Sequence, residues 1–188
     1  MTITTRHVTI AEYEALPDTS DGTRYELVNG EIIEVTGAGA EHGAIMLQLA
    51  YRLRTYVIER SLGLVFGDGT NFILSVDSPT IRVPDVAFVS RAHIPAGRLP
   101  KGSWPIPPDL AVEITSPNDR EAEVQAKIRQ YLAAGTRLVW TVSPDDETVT
   151  VHRPGSPPIH LGISDTLDGD DVLPGFSVQV LALFEIEM

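Results

Sequence analysis

The chain has 188 residues and no cysteine, which excludes disulfides and thiolate metal centres. Hydrophobic residues make up 43%, enough for a real core and against a disordered chain. No apolar run approaches the ~20 residues needed to cross a bilayer. The formal net charge of -12 argues against a protein that coats nucleic acid nonspecifically. That charge is unevenly spread: from Asp145 to Met188 there are 9 acidic residues and one basic, Arg153, whereas residues 1–144 hold 17 acidic and 13 basic. A basic groove in this nearly neutral part therefore remains open. The first six residues lack the apolar stretch of a signal peptide. A single cytoplasmic domain spanning residues 1–188 is expected.

Thr9 and Glu12 have capping-box spacing and predict a short helix that stops near Pro17. Residues 25–28 and 31–35 flank Asn29-Gly30. Asn-Gly between two strand-like runs is the strongest short-range hairpin signal, because both residues tolerate positive φ. Gly37 and Gly39 break the chain before a helix over about 42–60. Ile45, Leu49, Leu53 and Val57 recur every fourth residue there and mark one buried face. Arg52, Arg54 and Arg60 lie off that stripe and read as a solvated face, with phosphate tracking as the alternative.

Strands are expected over 70–76 and 81–89. Residues 94–108, rich in proline and glycine, read as a long surface loop. Residues 110–115 read as a central strand, ended by Ser116-Pro117-Asn118. Asn118 with Glu121 offers a cap for the next helix, which stops at Gly135. Further strands are expected at 137–142, 148–152, 159–162 and 176–180, and a short helix or strand at 181–185. His93, His152 and His160 have no metal-ligand spacing and are expected at the surface.

Two lone acids stand in apolar strands, Asp85 in Val83-Pro84-Asp85-Val86-Ala87-Phe88-Val89 and Glu113 in Leu110-Ala111-Val112-Glu113-Ile114-Thr115. A carboxylate in hydrocarbon surroundings is costly unless paired, hydrogen-bonded or bound to metal. Asp85 shares a strand face with Ala87, and Glu113 with Ala111 and Thr115. If the strands are neighbours, small residues surround both acids and leave room for a divalent ion with hard oxygen ligands. Lys127, one helix later, sits at the border of that helix's apolar stripe. Its ammonium there would hold a water or offset charge developing on a phosphate.

These residues carry a resemblance. Asp85, Glu113 and a nearby lysine look like the PD-(D/E)XK nuclease motif. The segments YELVNGEIIEV, EHGAIMLQLAYRL, VPDVAFVSR, PDLAVEITSPND, KIRQYLAAGTRLVWTV and VLPGFSV follow in the order seen in the Uma family of restriction-endonuclease-like proteins, over residues 7–185. The resemblance implies an α/β fold with a restriction-endonuclease-like core. That core is a mixed central sheet flanked by helices, here with an N-terminal hairpin and C-terminal β additions. It implies a Mg²⁺- or Mn²⁺-dependent nuclease acting on DNA as a homodimer, with Asp85, Glu113 and Lys127 catalytic. It makes Asp85 and Glu113 metal ligands, with the Ile114 carbonyl as a third and His42 as a further ligand. Thr115 stands where the plain motif has its lysine, and Lys127 takes that part.

Each residue also has a plainer reading. Asp85 would bond loop amides, Glu113 would pair with Arg137, and Lys127 would pair with Glu123. His42 would pack on a loop, Glu26 would be a hairpin partner, and Tyr131 would be core. Two other functions compete with the nuclease: a non-catalytic binding or assembly module on the same fold, and a hydrolase of small phosphoesters, which suits the negative charge better.

Overall fold

The computed structural model describes residues 7–17, 23–35, 39–96, 98–117 and 119–185. Helix α1 (Ile10–Glu14) opens on the expected capping box, with Thr9 and Glu12 satisfying each other's backbone amides. Strands β1 (Arg24–Val28) and β2 (Glu31–Val35) form the predicted hairpin, with Asn29 at φ 51° and Gly30 at φ 81°. Helix α2 (Ala40–Glu59) buries Ile45, Leu49, Leu53 and Val57, the four residues of the stripe. Gly39 is its N-cap; Gly37 lies outside the described residues.

Strands β3 (Gly63–Gly67), β4 (Phe72–Ser75), β5 (Thr80–Arg82), β6 (Val86–Ser90) and β7 (Leu110–Ile114) follow. Helix α3 (Glu121–Ala134) ends on Gly135 in the left-handed region at φ 108°, as its position predicted. The backbone N-cap of α3 is Arg120, without a side-chain cap, and Asn118 lies outside the described residues. The chain closes with β8 (Leu138–Ser143), β9 (Thr148–His152), β10 (Ile159–Leu161), β11 (Thr166–Asp168), β12 (Ser177–Gln179) and α4 (Leu181–Phe184).

The principal sheet has six strands in the order β10-β9-β8-β7-β6-β3. Its β7–β8 pair is parallel and is joined through α3; the other pairs are antiparallel. A second, antiparallel sheet has the order β2-β1-β5-β4. Strand alternation gives the large sheet two apolar faces. Val86, Phe88, Leu110, Val112, Ile114, Leu138 and Trp140 meet α2 and the C-terminal segments. Ala87, Val89, Ala111 and Val139 meet Ile128 and Tyr131 of α3, together with Phe72 and Leu74. This is the expected mixed sheet between helices, with the N-terminal hairpin and the C-terminal β11–β12 pair added.

Three expectations need correction. The single strand over 81–89 is two strands in different sheets. The chain crosses between them at Val83-Pro84-Asp85, where proline supplies no ladder donor, so Asp85 stands at a joint just before β6. Residues 94–108 are not wholly surface: Trp104 is 2% exposed and is bound to β4 through Trp104 N–Asn71 O and Ile73 N–Trp104 O bonds. His152 is buried rather than exposed, because its ring nitrogen reaches Thr141 on the neighbouring strand. Strands β3 and β11 are additional to those expected. Among the described residues no helix is long and apolar enough to cross a membrane.

Candidate functional site

The β6–β7 register builds the site. Val86 pairs with Val112 and Ala87 with Ala111, so Asp85 and Glu113 flank the last pair of the ladder, and the alternation of side chains directs both to the face of Ala87 and Ala111. The Ile114 amide donates to Asp85 Oδ2 at 2.7 Å. Lys127 projects from the second turn of α3, and its Nζ lies 3.0 Å from Glu113 Oε2. Tyr131, one turn on, donates its hydroxyl to Glu113 Oε1 at 2.8 Å. The i, i+4 spacing on α3 thus delivers both donors to one carboxylate. His42, in the first turn of α2, comes from the opposite side of the sheet and sets Nε2 3.3 Å from Asp85 Oδ2.

The cleft lies where the two sheets approach. Asp85, Glu113, Ile114, His42 and Lys127 line it together with Arg24 and Asp68, which pair with each other. Below Lys127, Glu26 of β1 is buried and holds Arg82, and its Oε1 stands 3.9 Å from Lys127 Nζ.

Burial pushes the Glu113 carboxyl up to about 7; Lys127 draws it down, while Asp85 and Glu26 push it further up. Burial opposes the Lys127 ammonium, but Glu113 and Glu26 outweigh it and hold its pKa above the ordinary lysine value. Tyr131 is held well above the usual phenol range, first by burial and then by Glu113 and Glu26. The hydrogen bond to Asp85 raises His42, against an opposing effect of burial.

The geometry brings together Asp85, Glu113, Lys127 and His42, with Glu26 and Tyr131 beside them. Two of the plainer pairings are replaced, since Arg137 pairs with Asp171 and Arg120 reaches Glu123; Asp85 does bond a backbone amide, that of Ile114, and Tyr131 does lie in the core. Arg52 is not simply solvated, since it donates to the Ala182 carbonyl. Arg60 is exposed and stacks over the Tyr56 ring. Thr115 is used by the sheet, donating to the Val142 carbonyl at 3.2 Å. Arg82 and Gln130 belong to the cluster and were not singled out from the sequence. Arg82 had a usable signal, a lone charge in an apolar strand; Gln130 had none.

Among the described residues no three His, Cys, Asp or Glu side chains gather closely enough to hold a metal alone. The donors still fit a hard divalent cation of the Mg²⁺ type, which keeps several waters and takes one or two carboxylates. Asp85 and Glu113 repel one another, and a cation between them relieves that. His42 turns its Nε2 toward Asp85 Oδ2 at 3.3 Å, so this ring nitrogen is the one that faces the site.

A family model, Uma2, described as putative restriction endonuclease, matches residues 10–183. A crystal structure described as a putative nuclease belonging to DUF820, from Anabaena variabilis ATCC 29413, is similar in fold. Its TM-score is 0.80 at 24% identity, covering 94% of this chain and 97% of that one. No curated protein matches the chain.

Proposed function

This chain belongs to the Uma2 family, and from that premise we propose that it is a Mg²⁺- or Mn²⁺-dependent nuclease that hydrolyses phosphodiester bonds in DNA. The observation that carries the reading is the meeting of Glu113 with Lys127 at 3.0 Å beside Asp85. Two carboxylates and an ammonium around one cleft suit a phosphodiester: the acids hold the cation, and the ammonium faces the phosphate. A divalent ion on Asp85 and Glu113, with the Ile114 carbonyl and His42 as further ligands, would polarise the phosphate and acidify a bound water.

The protein's own groups do the rest. Tyr131 occupies Glu113 Oε1 and fixes the carboxylate's rotation. Lys127 stays charged and directs its remaining N–H groups to an attacking water or to the oxygens that gain charge in the transition state. The Ile114 amide holds Asp85 in one orientation. A cytoplasmic homodimer completes the proposal, since closed two-fold assemblies are the commonest.

The test mixes purified protein with plasmid, linear and single-stranded DNA plus Mg²⁺ or Mn²⁺. Cleavage that disappears in Glu113→Ala and Lys127→Ala is expected. Equal cleavage by those variants refutes the mechanism. The net charge of -12 favours a second reading, hydrolysis of a small phosphoester. Turnover of such esters with DNA left intact would select it.

A further inference from the structure

Glu26 divides its two oxygens. Oε1 accepts from the Val83 amide at 3.0 Å and faces Lys127 Nζ at 3.9 Å, and Oε2 accepts from Arg82 Nη1 at 2.5 Å. Arg82 then donates from Nε and Nη2 to Gln130 Oε1, at 2.8 and 2.6 Å. Gln130 lies on α3 three residues after Lys127, on the same side of the helix. The bonds close a path through β1, β5 and α3, and the Val83 amide ties it to the turn that carries Asp85.

Arg82 and Glu26 are both almost fully buried. A buried ion pair adds little stability over apolar side chains of the same volume. What a two-bond guanidinium fork does provide is a fixed direction. Arg82 also repels the Lys127 ammonium, with Glu26 set between them. The carboxylate therefore holds the lysine inward, and Gln130 holds the guanidinium away from it.

We propose that Glu26, Arg82 and Gln130 are positioning residues for Lys127. The Gln130–Arg82–Glu26 path fixes α3 against the turn before Asp85 and so sets where the ammonium stands beside Glu113. This rests on Lys127 being the group that acts on the substrate. None of the three positioning residues need touch DNA.

Two variants break the path without removing a charge from the cleft. Gln130→Leu removes the acceptor at similar volume. Arg82→Lys keeps the charge beside Glu26 and loses the fork. Gln130→Glu retains an acceptor and is the rescue. In Mn²⁺-supported DNA cleavage, Gln130→Leu and Arg82→Lys are expected to lower kcat by about 10- to 100-fold with KM within about twofold. Gln130→Glu is expected to stay near the wild type. Unchanged kcat in both disrupting variants, or an equal loss in Gln130→Glu, overturns the proposal.

A second readout does not depend on cleavage. The chain has only two lysines, Lys127 and the exposed Lys101, so NMR of side-chain-labelled lysine reports Lys127 directly. Its ε-CH₂ signal is expected to differ from that of Lys101 in the wild type and in Gln130→Glu, and to move towards it in Gln130→Leu. An unmoved Lys127 signal in Gln130→Leu overturns the positioning path. A signal that moves in Gln130→Leu, together with a wild type that leaves DNA uncut, upholds the path and counts against the nuclease reading alone.

Discussion

Asp85 immediately precedes Val86, and Glu113 immediately follows Val112, at the end of the β6–β7 ladder where Val86 and Val112 pair. The amide next to Glu113, that of Ile114, donates to Asp85 Oδ2 at 2.7 Å. Two acids are thereby held on one face of the sheet, beside the apolar Ala87, Ala111 and Val139. The sheet has created a repulsion that α3 relieves in part, through Lys127.

That repulsion has a pH signature. Glu113 has its pKa raised from 4.5 to about 7, so the folded state holds a proton that the unfolded state releases. Metal-free stability therefore falls as pH rises from 4.5 to 7. His42, also raised, acts in the same sense: its contribution is complete below its unfolded value of 6.5 and is lost as pH rises through its folded value. Buried His152, whose pKa burial lowers, acts in the opposite sense and offsets part of this; urea melts in chelator should still show a net loss, with Glu113 contributing on the order of 2 kcal/mol between pH 5 and pH 8. Glu113→Gln should flatten most of that slope. A wild-type profile rising over this range would contradict the assignment.

Divalent cations should reverse the trend. A cation favours ionised carboxylates and binds only the folded site, so it stabilises by mass action. Mn²⁺ should raise the melting temperature more at pH 8 than at pH 5.5, and Asp85→Asn should abolish most of the difference. Thermal melts with and without the ion make the comparison.

Tyr131→Phe isolates one hydrogen bond. Among the described residues it leaves buried Glu113 with Lys127 as its one side-chain hydrogen-bond partner, at a cost of about 1–3 kcal/mol. Urea denaturation measures the cost. Cleavage should fall less than in Glu113→Ala, since the carboxylate remains.

Trp104 anchors the segment 94–108. Trp104→Ala should cost about 3–5 kcal/mol, the range for a large buried aromatic. It should also open residues 94–108 to limited proteolysis. Resistance equal to that of the wild type would mean that the backbone bonds to Asn71 and Ile73 hold the segment alone.

Gly63 is required by close approach. A Cβ there would meet the Val89 carbonyl oxygen at 2.0 Å and the Ser90 Cα at 3.0 Å, and both are backbone atoms of the paired strand. Gly63→Ala should destabilise by about 1–3 kcal/mol or more, read from urea melts.

Local patterns were legible wherever one period dominated. The α2 stripe, the Asn29-Gly30 hairpin and the Gly135 stop follow from side-chain spacing and backbone freedom alone. Asp85, Glu113 and Lys127 were legible as a group because two acids stood out in apolar strands. The split at Pro84 is not legible in the sequence, because residues on both sides are apolar and strand-forming and only the tertiary structure separates the two sheets. Strand β3 escaped because Leu64-Val65-Phe66 is a short run between glycines. Trp104 was hidden by the proline and glycine around it. Gln130 gave no signal, since its partner Arg82 lies 48 residues away.

The most direct test is a crystal soaked in Mn²⁺ and measured for anomalous scattering. One peak is expected in the cleft at about 2.0–2.3 Å from oxygens of both Asp85 and Glu113. A fully soaked crystal with no peak there, or with Mn²⁺ bound only elsewhere, would contradict that expectation.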